Sequence, residues 1–194
     1  MSSSKIWKLL CRNKVYDGSP FIKIFKDKVK LPSGCIIDDY HRIEVNNAVM
    51  LLIENDNNEL LVYEEYRHGI GEVSYTFPAG GIENNETLDI AAAREAHEEL
   101  GISFNDCKLL KSYIVSGSYM FSELNMMSIK NIFKISEPNE KDIENPEVLW
   151  LSKKDVKDAI SNHKFKGLTY ATAALLWLFY KDENGEDTFL IAEG

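Results

Sequence analysis

Between Gly80 and Ile102 the chain carries a dense set of carboxylates whose spacing could do chemistry. Glu95 and Glu98 are three residues apart, and Glu95 and Glu99 are four apart. On a helix these spacings put the acids on one face, where like charges repel. A helix that keeps such a cluster usually has a cation to hold. Hard oxygen ligands at this density suit Mg²⁺ or Mn²⁺, and a divalent ion held by carboxylates most often receives phosphate oxygens. The bland alternative, which the acidic pairs alone would favour, is an ordinary solvated Glu-rich helix.

The element that must present these acids is well signalled. Pro78 and Gly80-Gly81 mark a loop, and Thr87 or Asn85 caps the helix start. Glu86 and Asp89 lie in or near the first turn, where the helix dipole favours acids. Leu88, Ala91, Ala92 and Ala96 form a small apolar face that lets the helix pack closely. Gly101 stands where a C-terminal glycine stop is expected. Arg94, near Glu98, is placed to pair with an acid and fix the helix and its loop, which leaves Glu95, Glu98 and Glu99 for metal.

The full pattern runs Gly80, Glu86, Arg94-Glu95, Ala96, His97, Glu98-Glu99, Leu100, Gly101, Ile102, and it resembles the Nudix box with no defining position missing. His97 occupies a free position of that pattern and reads as a helix-surface residue. The resemblance implies an α/β fold, a Nudix-type α/β/α sandwich with a mixed sheet. It also implies metal-dependent hydrolysis of a diphosphate bond, with Glu98 and Glu99 as catalytic acids and the backbone carbonyl of Ala79 as a further metal ligand beside Glu95, Glu98 and Glu99. Gly80 and Gly81 then lie at the substrate.

Outside the box the chain looks most like the ADP-ribose pyrophosphatase and nucleoside-diphosphate-sugar hydrolase branch. Tyr66-Arg67 resembles the Tyr-Arg of that branch, which assigns Arg67 to a phosphate; by residue type alone, a surface arginine pairing with Glu64 or Glu65 is an equal reading. Glu123 matches a glutamate that follows a Ser-Pro-Gly segment in the branch. The general base resembles a glutamate on a late acidic loop, here 137–144, with Glu140 favoured and Glu137 and Glu144 close behind. Two departures bear on the specific substrate: Ser116-Gly117-Ser118 lacks the proline, and Thr76-Phe77 stands where the branch often has Glu-Leu. Tyr119 and Phe121 are placed to stack on a base, although aromatics at such positions are more often packing.

Bulk properties narrow the partners. The chain has 194 residues, 44% hydrophobic and 27% charged, with net charge −9 and a pI near 5.0. Such acidity disfavours nucleic acid and anionic membranes, so an anionic substrate must be drawn by local positive charge and metal. The three cysteines, Cys11, Cys35 and Cys107, make neither a metal-ligand spacing nor a disulfide framework, which suggests a cytoplasmic protein. The first residues show no secretory signal, and the apolar run 171–180 is too short to span a bilayer.

Residues 1–45 read as an N-terminal antiparallel β-segment and 46–194 as the hydrolase domain. The run Phe21-Ile22-Lys23-Ile24-Phe25 is rich in strand formers. A sheet this small must pack on the main domain or on a second subunit; the resemblance implies a homodimer. Strands are expected over 48–53, 59–66, 107–115, 125–135 and 147–151, with helices over 153–160 and 169–180. The stretch from Tyr66 to Pro78 reads as a loop. The expected substrate is a nucleoside diphosphate linked to another moiety, such as ADP-ribose or a sugar nucleotide. Dinucleotides, nucleoside triphosphates, or a non-catalytic nucleotide-sensing module are the alternatives.

Overall fold

The computed structural model describes residues 5–136 and 146–179. In chain order the elements are β1 (Lys8–Gly18), β2 (Ile22–Lys30), β3 (Ile36–Glu44), β4 (Ala48–Ile53), β5 (Leu60–Arg67), β6 (Glu72–Thr76), β7 (Ala79–Gly81), α1 (Leu88–Leu100), β8 (Ile102–Ser116), β9 (Met120–Lys134), β10 (Glu147–Leu151), α2 (Lys153–Ser161) and α3 (Leu168–Phe179). This is the mixed α/β fold expected. No helix among the described residues is long and apolar enough to cross a membrane.

The chain forms two compact units. The first takes the residues up to Ala48 together with Tyr113–Leu124, so it borrows the end of β8 and the start of β9. β1, β2 and β3 form an antiparallel meander, with Tyr16 opposite Ile24 and Ile24 opposite Ile43. β3 then pairs in parallel with β9, Ile43 opposite Met120. Asp27 is buried in β2 at 3% exposure, which demands a partner, and Arg12 on β1 supplies a two-pronged one: Nε donates to Oδ1 at 2.8 Å and Nη2 to Oδ2 at 2.7 Å. That fork holds the Asp27 carboxyl below the ordinary carboxylate range.

The second unit takes Val49–Ser112 and the chain from Asn125 onward. One sheet has β4 between β9 and β7, with β8 also beside β9; a separate sheet runs β10-β5-β6. The core gathers Val49, Leu51 and Ile53 from β4, Leu61 and Tyr63 from β5, Met127 and Ile129 from β9, and Ala91, Ala92 and Ala96 from α1. The alanines matter because they let the α1 backbone come close to the strands. α2 is closed by a reciprocal capping box between Ser152 and Asp155, and the Trp177 indole on α3 donates to Glu54 Oε2 at 2.8 Å.

The stretch read as a loop between Tyr66 and Pro78 contains β6 and leads into β7. After the tight turn closed by Gly71 N–H to Arg67 O, with Gly71 at φ +76°, β6 pairs back on β5. The pattern was masked because β6 turns its polar residues inward: Ser74 and Thr76 are buried while Val73 is 53% exposed. β7 is too short to show a period, and a backbone bond from Leu51 N–H to Pro78 O anchors the chain beside β4. β8 and β9 also start earlier than expected, at Ile102 and Met120.

Candidate active site

The loop–helix–loop folds as its residues dictate. Thr87 caps α1, its hydroxyl accepting from Ile90 N–H at 3.4 Å, while Asn85 instead takes a positive φ of 70° in the loop. Gly101 ends the helix in the left-handed conformation (φ 65°, ψ 23°), its N–H returning to His97 O.

Arg94 ties this segment together more extensively than a pairing with Glu98. Its Nε and Nη2 donate to the two oxygens of Glu86 at 2.7 and 3.0 Å, and Nη2 also reaches Gly81 O at 2.8 Å. Nη1 donates to Glu95 Oε1 at 2.6 Å and to Glu98 Oε2 at 3.3 Å. One guanidinium therefore joins the loop before the helix to two acids on it. The Arg94 bonds hold the Glu86 carboxyl down to about 2 and raise the guanidinium itself. Glu95 goes the other way: burial pushes its carboxyl up, against the pull of Arg94.

Glu95 lies directly on the backbone of Gly80. A Cβ at position 80 would fall 1.8 Å from Glu95 Oε1 and 2.0 Å from its Cδ, so glycine is required for the carboxylate to occupy that place. Gly81 faces open space, and its part is its carbonyl, held by Arg94. Glu98 is exposed. Glu99, half-buried, accepts from the Tyr63 hydroxyl at 3.1 Å. Among the described residues no three His, Cys, Asp or Glu side chains converge on one point as a ready-made cage. The donor chemistry nonetheless fits a hard cation: carboxylates from one helix face, one of them buried against a bare glycine backbone.

Arg67 closes β5. Side chains alternate along a strand, so Leu61, Tyr63, Glu65 and Arg67 share a face. That face carries Tyr63 to Glu99, and it brings Arg67 onto Glu65 at 3.2 Å. Glu65 is buried, and its Oε1 also accepts from the Thr76 hydroxyl. The pairing of Arg67 with Glu65 is one of the two readings its residue type offered, except that Glu65 is buried rather than at the surface; Tyr63 and Thr76 were missed as contributors.

Glu123 belongs to the first unit, where its N–H donates to Asn47 Oδ1 at 2.9 Å. In the same unit the Arg42 guanidinium covers the Phe121 ring at 5.0 Å. Glu137, Glu140 and Glu144 lie outside the described residues.

Known proteins resemble the chain in sequence and in fold. A family profile described as NUDIX domain matches residues 45–170. The chain is 27% identical over 112 residues to ADP compounds hydrolase NudE of Escherichia coli, covering 57% of this chain and 60% of that protein. It is 30% identical over 86 residues to ADP-ribose pyrophosphatase of Mycobacterium tuberculosis, covering 44% and 41%. The chain thus spans about three fifths of the first of these relatives and 41% of the second. A crystal structure of an ADP compounds hydrolase superposes with a TM-score of 0.77 at 22% identity, covering 92% of this chain and 97% of that one, a likeness of fold. With a complete acidic helix motif and a family match over most of its length, the chain belongs to the NUDIX domain family.

Proposed function

We propose that this chain hydrolyses the diphosphate bond of a nucleoside diphosphate linked to another moiety, releasing a nucleoside monophosphate and a phosphorylated partner. The observation that carries the reading is the Arg94-braced loop–helix–loop with Glu95 seated on Gly80. ADP-ribose and related ADP compounds lead the candidate substrates, since both curated relatives are named for such chemistry. A screen of ADP-ribose, NAD-type dinucleotides, sugar nucleotides and nucleoside triphosphates, with product analysis, tests this. Cleavage of triphosphates alone, or of nothing, overturns it.

Glu95, Glu98, Glu99 and the Ala79 carbonyl would hold the cation. When bound, Mg²⁺ or Mn²⁺ would screen the diphosphate charge and acidify a water. The protein's own residues do the rest. Arg94 holds the Gly81 carbonyl against the helix, and Gly80 and Gly81 are proposed to lie at the substrate. Arg67, steadied by Glu65, offers a charged fork to a phosphate. Glu140, with Glu137 and Glu144 as neighbours, is the proposed base, and Glu123 a substrate contact.

These roles separate kinetically. Arg67→Ala should raise KM by about tenfold, because a phosphate fork binds ground and transition states alike. Glu140→Gln should lower kcat by about 100-fold or more with KM nearly unchanged, since a base acts in the transition state. Steady-state kinetics on ADP-ribose, with Glu137→Gln and Glu144→Gln alongside, decides. Normal kcat in all three acid variants removes the base from residues 137–144.

A homodimer through the N-terminal β-segment is part of the same proposal. Leu9, Leu10, Val15, Tyr16 and Phe21 are exposed there, Phe21 at 81%. That is more apolar surface than a small sheet leaves to water. Light scattering at micromolar concentration should give twice the 22.1 kDa chain mass; a monomer of full activity rules the dimer out. All three cysteines are free thiols, which suits a reducing compartment such as the cytoplasm.

A further inference from the structure

We infer that the Tyr63 phenol is a positioning group for Glu99, and that it sets how tightly the acidic helix holds a divalent cation. The inference rests on the reading of Glu99 as a metal ligand and extends it to the strand behind the helix.

Tyr63 sits on β5 in the middle of the core, 4% exposed, among Val49, Leu51, Ala91, Ala92 and Ala96. A tyrosine ring in such a place has little freedom: two side-chain torsions, both fixed by packing. Its hydroxyl is then a donor at a fixed point, and it reaches Glu99 Oε2 at 3.1 Å. A buried tyrosine hydroxyl needs a polar partner, and the partner here is an acid of the α1 motif.

Glu99 has particular need of such a donor. It is the penultimate residue of α1, where the helix dipole presents partial negative charge and disfavours a carboxylate. The Arg94 bonds run to Glu86, Gly81, Glu95 and Glu98. Glu99 accepts a bond from the sheet. Its carboxylate plane is thereby tied to β5, the strand that also carries Arg67. A carboxylate held in one orientation loses less freedom on taking a cation than one that swings with an unrestrained side chain. Partners that hydrogen-bond a ligand in this way commonly govern metal affinity.

Tyr63→Phe removes one oxygen and keeps the ring, so the packing is preserved. Mn²⁺ binding, followed by the electron paramagnetic resonance of free Mn²⁺ without substrate, should weaken by about tenfold or more. The melting temperature should hold near the wild-type value, and the Mg²⁺ needed for half-maximal turnover of ADP-ribose should rise in step. In a Glu99→Ala background, where Tyr63 has no carboxylate or amide to position, adding Tyr63→Phe should produce no further loss of Mn²⁺ affinity, because the two act as one unit. Wild-type Mn²⁺ affinity in Tyr63→Phe, while Glu99→Gln weakens it, overturns the inference alone. Fully additive losses overturn it as well, by showing that Tyr63 acts without Glu99. If Glu99→Gln itself leaves Mn²⁺ affinity untouched, the metal assignment of Glu99 fails and takes this inference with it.

Discussion

Glu99→Gln is expected to cut turnover of ADP-ribose at millimolar Mg²⁺ by at least about 100-fold while leaving the fold intact. The change is small in shape: Gln matches Glu in helix propensity, and its amide oxygen can still accept from Tyr63. What is lost is one negative charge from a set whose spacing serves a cation. The protein without added metal should gain from that loss. Glu95 and Glu99 stand four apart, where like charges cost roughly 0.2–0.5 kcal/mol. A carboxylate near the C-terminal end of a helix costs about 0.3–1 kcal/mol more. The melting temperature in EDTA should therefore stay level or rise slightly, while the stabilisation given by added Mn²⁺ shrinks. A variant with wild-type turnover would sink the metal-site assignment. A variant that lost both activity and fold would show that Glu99 is structural.

The acidic helix was legible because several local rules agree on it. Thr87 caps it, the alanines give it a close-packing face, Gly101 stops it, and the acids repeat at helical spacing. The brace was legible only in part. Arg94 lies on the same helix as Glu98, so that pairing follows from periodicity. Glu86 and the Gly81 carbonyl are reached through the conformation of the loop, which no local period encodes. The β5 contributions were hidden for a different reason. The Arg67–Glu65 pair was offered by the sequence as a surface contact, and only the pairing of strands, with Thr76 on β6 turned inward, buries Glu65 and makes Tyr63 a donor to Glu99. β6 escaped notice because it inverts the usual pattern, burying Ser74 and exposing Val73. Its inward hydroxyls are tolerable since Ser74 meets the backbone near Lys164 and Thr76 meets Glu65.

Arg94→Ala should be the most damaging single change in the helix motif, for stability as well as activity. The side chain bonds Glu86 twice, Glu95, Glu98 and the Gly81 carbonyl. Its removal leaves the buried Glu95 carboxylate without its guanidinium and frees the loop that Gly80 must hold against it. Breaking a fully buried pair costs about 3–5 kcal/mol; with the Arg94 side chain 21% exposed, about 2–3 kcal/mol is expected. For a chain of this size that is a fall in melting temperature of roughly 4–12 °C. Arg94→Lys should recover part of it, since a point charge can meet one acid but not fork across three. The loss should also depend on pH. The folded Glu86 carboxyl is held near 2, below its ordinary value. Its contribution is therefore complete above about pH 4.5 and is lost as the pH falls towards 2. Glu95 is raised by burial, so its charge is a cost to the fold that acid removes, and a larger cost once Arg94 is gone. Both effects have the same sign. The gap in melting temperature between wild type and Arg94→Ala should be widest near neutrality and should narrow as the pH falls from about 5 towards 2. A gap that stays constant over that interval would mean that Arg94 acts by packing its stem rather than by its charge. No gap at any pH would remove the brace from the account of the site.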